Sequence, residues 1–174
     1  MKILATARLT LRTLETSDAP FFLQMINDPS WIENIGDKGI RTVAEAEKNI
    51  EQGPVLMQRR LGYSLYLVER SSDGVPVGLC GLIKRDALPD ADIGYAIWPE
   101  YWGEGYAYEA AAAVVLHARD SIGLVRLLGI TSPQNLRSNN LLKKLGLSFV
   151  RVVRFKDDGS DTNLYSLEFP SRHA

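Results

Sequence analysis

The sequence predicts an α/β (α+β) fold: a mixed central sheet of about seven strands that opens as an antiparallel meander and passes into a parallel pair. Three observations carry this. The runs Tyr63–Arg70, Val75–Lys84 and Ala91–Trp98 have strand character and follow one another through short turns, with Asp73-Gly74 a strong hairpin signal between the first two. The third run is followed by a glycine-bearing turn, a helix and another strand-like run, Val125–Thr131, an order that lets two strands lie parallel through a crossover. The 174 residues contain no internal repeat, long linker or low-complexity stretch, so the chain reads as one domain, 1–174, long enough for a real core.

Each element has a local cause. Ala7–Leu14 alternates, with Leu9 and Leu11 out of phase with the arginines, and reads as an edge-type strand. Ser17 and Asp18 supply N-cap chemistry, and Pro20 sits in the first turn of a helix whose stripe is Phe21, Phe22, Met25 and Ile26; Asp28-Pro29 ends it. Ser30–Ile40 reads as a loop. Thr42 and Glu45 then fit a capping box for a helix over Val43–Met57. Ala87–Asp90 is a turn. In Ala91–Trp98, Ile93, Tyr95 and Ile97 alternate with Asp92, Gly94 and Ala96, and Pro99 ends the pairing because it has no N–H. The helix Gly105–Ser121 carries the small residues Ala110–Ala113, which permit close packing on a sheet; Gly123 is its stop, and the lone His117 reads as packed rather than basic. Asn135–Leu145 is helical with Leu141, Leu142 and Leu145 inward and Gly146 as its stop. Phe149–Phe155 and Asn163–Phe169 flank Asp157-Asp158-Gly159 as a final hairpin, and Ser171–Ala174, with His173, reads as a frayed tail.

The stretch Asp92–Ala110 organises the rest: a strand, a sharp turn, and a helix that opens on glycine. A helix start leaves its first N–H groups unpaired and carries roughly half a positive charge, so a phosphate fits there. Gly103 and Gly105 have no Cβ and let an anion approach the backbone. A plain strand–helix turn is the alternative. A dinucleotide fingerprint fails because its third glycine would fall on Tyr108, and no P-loop run exists in the chain.

The run Trp102-Gly103-Glu104-Gly105-Tyr106-Ala107 resembles the acyl-CoA loop, Q/R-x-x-G-x-G/A, of the GCN5-related N-acetyltransferase (GNAT) superfamily, with Trp102 departing from the usual leading Gln or Arg. The longer run through Glu109 is similar to the branch containing the ribosomal-protein N-terminal acetyltransferases (RimJ/RimL-like). Asn135-x-x-Ser138 followed by Leu145-Gly146-Leu147 resembles the superfamily's N-x-x-[AS]…G-F element, so the likeness covers nearly the whole chain in order. It implies a GNAT-like sheet with helices on both faces and the parallel pair splayed at an acyl-CoA site. It further implies that acetyl-CoA is the co-substrate. Free groups at Ile97 and Trp98 would meet the acyl arm, amides from Trp102, Gly103, Glu104, Gly105, Tyr106 and Ala107 would hold the pyrophosphate, Asn135 would contact the pantetheine or order the next loop, and Ser138 would lie near the thioester sulfur. The Tyr that many members carry seven residues after the Asn is Leu142 here, which passes the role of protonating the leaving thiolate to Ser138 or water. Ser138 also reads as an ordinary first-turn residue, and Trp31 as either an acceptor contact or a tryptophan packed on its own domain.

The implied reaction is direct transfer of an acetyl group to a primary amine, on a protein N-terminus or a small molecule. Because a protonated amine cannot attack a thioester, a base helps; a lysine-like amine titrates at about 10.4 and an α-amine at about 8. Asp92 is the candidate base, with a solvated strand residue as the alternative, and Glu109 reads as a structural carboxylate. An oxyanion would be held by a backbone N–H near Ile97 or Trp98. A non-catalytic acyl-CoA sensor and a polyamine or antibiotic acetyltransferase are the rival readings. Lys and Arg number 20 against 21 Asp and Glu, and the pI is about 6.1, which speaks against a general nucleic-acid or membrane binder. Single Cys80 in an apolar run reads as a buried thiol of a reducing cytoplasm, with a catalytic cysteine as the sharper option. No signal peptide, membrane span or metal site is read, and an exposed edge strand could pair two copies.

Overall fold

The computed structural model describes residues 1–154 and 156–170. Phe155, read as a strand end, and the tail 171–174 lie outside the described residues. The described chain forms an eight-stranded sheet: β1 (Lys2–Ala5), β2 (Leu9–Thr13), β3 (Leu65–Arg70), β4 (Pro76–Ile83), β5 (Asp92–Ile97), β6 (Arg126–Thr131), β7 (Ser148–Val153) and β8 (Thr162–Glu168), in spatial order β1-β2-β3-β4-β5-β6-β8-β7. Every neighbouring pair is antiparallel except β5 and β6, which are parallel. The meander and the crossover therefore hold as read.

The added strand is β1, four residues long, pairing with β2. It is too short to show an alternation, and only Ile3 and Leu4 are half-buried. Its presence corrects the reading of β2 as an edge: β2 lies between β1 and β3, with Leu9 and Leu11 fully buried.

The helices are α1 (Ala19–Ile26), α2 (Pro29–Asn34), α3 (Val43–Ile50), α4 (Leu56–Leu61), α5 (Tyr106–His117) and α6 (Leu136–Lys144). α1 starts with Pro in its first turn, as read, but Asp18 makes no side-chain cap bond. Its carboxylate instead takes both guanidinium ends of Arg12, at 2.8 Å each, and the amide of Glu15. α2 corrects the Ser30–Ile40 loop: Asp28 accepts the amide of Ser30 at 2.9 Å and Pro29 opens the helix, so one Asp-Pro pair ends α1 and starts α2. The Thr42/Glu45 capping box is present. The helix it starts does not stop at Met57; a π-type turn over Glu51–Val55 absorbs Pro54, and α4 runs on to a left-handed Gly62. α5 likewise passes through a π-type turn, Ala118–Ile122, to a left-handed Gly123.

Helices lie on both faces. One core holds α1, α2 and α3 residues such as Phe22, Trp31 and Ile50 against Leu67 and Leu79. The other holds Ala110, Ala111 and Val114 of α5 and Leu142 of α6 against Tyr66, Cys80, Ile93 and Leu127. α6 approaches β6 closely at Gly129, where a Cβ would come within 2.6 Å of Leu142.

Candidate active site

β5 and β6 stay together over just two register pairs, Asp92 with Leu128 and Ile93 with Gly129. The amide of Trp98 is bonded to Val77 on β4 at 2.8 Å. Alternation along an antiparallel ladder then turns the backbone groups of Tyr95 and Ile97 away from β4, into the gap beyond Ile93. Of the two positions expected to offer an oxyanion donor, Trp98 has its N–H committed elsewhere; that of Ile97 faces the gap. The Ile97 carbonyl accepts the indole N–H of Trp102 at 2.7 Å. A cleft of about 1500 Å³ occupies the splay.

The glycine turn forms one wall. Gly103 and Gly105 are both left-handed, at φ +84° and +80°, which glycine adopts without steric cost. Gly105 is the N-cap of α5, and among the described residues no side chain caps that end, so the first α5 amides point outward without a capping partner. Trp102, Gly103, Gly105, Tyr106 and Ala107 line the cleft, and Glu104 does not. The carbonyl of Glu104 is turned to Arg8, which donates to it at 2.8 Å. Residues and geometry fit a pyrophosphate: open space over Gly103, uncapped amides, and a positive helix end.

The opposite wall is α6. Asn135 caps it, its side chain accepting the Ser138 amide at 3.2 Å. Ser138 Oγ lies 2.8 Å from Tyr95 Oη, a hydroxyl pair that bridges the splay. Burial pushes the Tyr95 phenol above its ordinary pKa, with Ser138 opposing the shift. Sequence reasoning placed Tyr95 on the strand without giving it a role. Leu142 is fully buried against the sheet, and the α6 leucines that line the cleft are Leu136 and Leu141. Buried Asn139 holds the α6 entrance from behind, donating to the Ser132 and Asn135 carbonyls and accepting from Tyr165 and Asn163.

At the far end, Asp92 shares the face of Gly94, Ala96 and Trp98 and is 1% exposed. Its Oδ1 accepts Arg85 Nε at 2.9 Å. Burial raises the Asp92 carboxyl above the usual carboxylate range, and the Arg85 charge draws it partly back. Asp92 Oδ2, Trp31 Nε1 and Thr162 Oγ1 are buried polar atoms with no hydrogen-bond partner among the described residues, and all three residues line the cleft. Glu109 lies outside it. Its carboxylate accepts Thr6 Oγ1 at 2.6 Å, Arg8 N at 2.8 Å and Arg8 Nε at 2.7 Å, so it ties α5 to the β1–β2 turn. His117 packs edge-on to Tyr66, and Cys80 is fully buried with its thiol pKa pushed up by desolvation. Among the described residues no group of three or more His, Cys, Asp or Glu is placed to hold a metal, and no helix is long and apolar enough to cross a membrane.

Residues 8–148 match the acetyltransferase (GNAT) domain family. The chain belongs to the GNAT acetyltransferase family. It is therefore an acetyltransferase by family, and its relatives agree. The uncharacterized N-acetyltransferase YoaA of Bacillus subtilis (strain 168) is 30% identical over 176 residues, covering 97% of each chain. Among solved structures, an acetyltransferase from Agrobacterium tumefaciens str. C58 superposes with TM-score 0.81 at 23% identity, over 97% of this chain and 95% of the other. RimL, a ribosomal L7/L12 alpha-N-protein acetyltransferase solved in complex with coenzyme A, superposes with TM-score 0.82 at 18% identity, over 97% and 98%. At those identities the two structures establish the GNAT fold of this chain.

Proposed function

We propose that this GNAT protein moves an acetyl group from acetyl-CoA to a primary amine by direct attack in a ternary complex, as one cytoplasmic domain spanning 1–174. The observation that carries the reading is the two-pair contact of β5 with β6 beside the uncapped start of α5. An extended arm can lie in that gap and complete the backbone bonds open at Tyr95 and at the Ile97 N–H, while its pyrophosphate meets the amides after Gly105. The coenzyme A held by the RimL neighbour supports the same reading.

Acetyl-CoA supplies the thioester. The chain's own residues then divide the work. The Ile97 N–H donates to the oxygen on which charge develops, a type of contact typically worth several kcal/mol. Ser138, held by Tyr95, lies beside the leaving sulfur and steadies the thiolate. Asp92 takes the proton of the amine. A strand rises about 3.3 Å per residue, so Asp92 lies roughly 16 Å along β5 from Ile97, and the proton travels through water. Trp31 contacts the acceptor, whose amine belongs to a small molecule or a protein N-terminus. The β7 edge exposes Phe149, Val150 and Val152, and there a second copy can pair.

The test is a thiol-release screen with acetyl-CoA against free amines, aminoglycosides and short peptides, beside titration calorimetry of Gly105→Arg. Release with at least one amine, and loss of coenzyme A binding in the variant, are the expected results. Coenzyme A binding without release from any amine would leave a binding module instead. Wild-type affinity in Gly105→Arg would remove the phosphate seat.

A further inference from the structure

The glycine turn is bracketed by two exposed aromatic residues, Trp102 before it and Tyr108 after it, 44% and 39% exposed. Each ring carries a cation from the facing helix. The Arg137 guanidinium lies over the Trp102 ring at 4.8 Å, and the Lys144 ammonium over the Tyr108 ring at 4.1 Å. Seven residues separate the two cations on α6, close to two full turns, so both project from one face and stand about 10 Å apart along the axis. Trp102, Tyr108, Arg137 and Lys144 all line the cleft. Among the described residues neither cation has an ion pair, and each rests on its ring.

A cation resting on an exposed ring is weakly held, and a phosphate offers it charge and several acceptor oxygens. The uncapped amides of α5 supply hydrogen bonds to an anion but no full charge. Coenzyme A carries two separated anionic groups, the pyrophosphate and the ribose 3′-phosphate, and one helix terminus can seat only one of them.

We infer that Arg137 and Lys144 are the second wall of the phosphate seat, leaving their rings to take the pyrophosphate and the 3′-phosphate respectively. Arg137 stands in the first turn of α6, one residue before Ser138, and so faces the inner pyrophosphate. Lys144 stands at the outer end, where the nucleotide emerges. The freed Trp102 and Tyr108 rings then border the bound nucleotide. The inference rests on the cleft being a coenzyme A site.

The experiment is titration calorimetry of the full chain, wild type, Arg137→Gln and Lys144→Gln, with coenzyme A, dephospho-coenzyme A and pantetheine. Both side chains are exposed, and unchanged melting temperatures check that neither substitution disturbs the fold. Lys144→Gln is expected to weaken coenzyme A about tenfold, close to the wild-type affinity for dephospho-coenzyme A, and to leave dephospho-coenzyme A unchanged. Arg137→Gln is expected to weaken both nucleotides about tenfold and leave pantetheine unchanged. Raising the salt should narrow these differences. Wild-type affinity for coenzyme A in both variants, or an equal loss of pantetheine, overturns the inference while the cleft reading stands. Failure of the wild type itself to bind coenzyme A overturns the cleft reading and this inference with it.

Discussion

Asp92 shows how a single side chain acquires chemistry from its surroundings. On the strand it is one of two acidic residues flanking Ala91; folded, it is buried, bonded to Arg85, and left with one oxygen free toward the cleft. Burial favours its neutral form and Arg85 its charged form. Arg85→Gln removes the opposing charge, so the Asp92 carboxyl titrates at higher pH. The acid limb of kcat/KM should then move upward in pH, and Asp92→Asn should lower turnover more at neutral than at high pH. A pH–rate profile of both variants checks this; an Asp92→Asn limb identical to wild type removes Asp92 from the mechanism. Tyr95 makes a second residue-level case. Tyr95→Phe deletes the hydroxyl that holds Ser138, and by loosening the Ser138 hydroxyl beside the leaving thiolate should lower kcat about tenfold, with little change in KM for acetyl-CoA. Loss of that hydrogen bond alone costs about 1 kcal/mol of stability. A kcat unchanged in Tyr95→Phe would mean the pair is structural only.

Among the elements, the decisive relation is how α6 sits on β6. Gly129 lets the helix approach so closely that an added Cβ would meet Leu142 at 2.6 Å and Leu147 at 3.0 Å. These are ends of flexible side chains in a filled core, and overpacking there costs roughly 1–3 kcal/mol. Gly129→Val should therefore lower the melting temperature, lift α6, and widen the gap between Ser138 and Tyr95, weakening coenzyme A binding. Leu142→Ala alone should cost about 2–5 kcal/mol as a cavity. Together the two substitutions should cost at least 1 kcal/mol less than their sum, because each fills or frees the same space. Strict additivity in denaturant titrations would show that the contact does not set the helix position. The same crowding explains Leu142: its side chain points into the core, and the hydroxyls that meet at the cleft are those of Ser138 on α6 and Tyr95 on β5.

At the scale of the molecule, the N-terminal hairpin is locked to α5 through Glu109, which reaches Thr6 and Arg8 more than a hundred residues earlier. Burial alone would raise the Glu109 carboxyl, but the bonds from Thr6 and Arg8 hold it below the usual range. A depressed folded pKa means stability present above the unfolded value, near 4.3, and lost as pH falls through the folded one. Glu109→Gln should cost about 1 kcal/mol at neutral pH, discounted for the exposed Arg8, and lower the melting temperature by about 2–4 °C. The gap between wild type and variant should close as the pH drops below 4.3 or so. A gap independent of pH would assign the effect to packing rather than to the carboxylate. Glu109 thus holds the glycine turn in place from outside the cleft, consistent with its reading as a structural carboxylate.

Local chemistry made the meander, the crossover, the capping box and the glycine turn legible in the sequence, since alternation, Asp-Gly, Thr-x-x-Glu and a glycine at a helix mouth each act within a few residues. α2 and β1 escaped because one is a single Asp-Pro doing two jobs and the other is too short to alternate. Only the tertiary structure decided how soon β5 leaves β6, that Tyr95 meets Ser138, that Arg85 holds Asp92, and that α6 lays two cations on the rings beside the glycine turn. Those relations join residues far apart in the chain, and they depend on distances of a few ångströms that packing sets and no short stretch of sequence encodes.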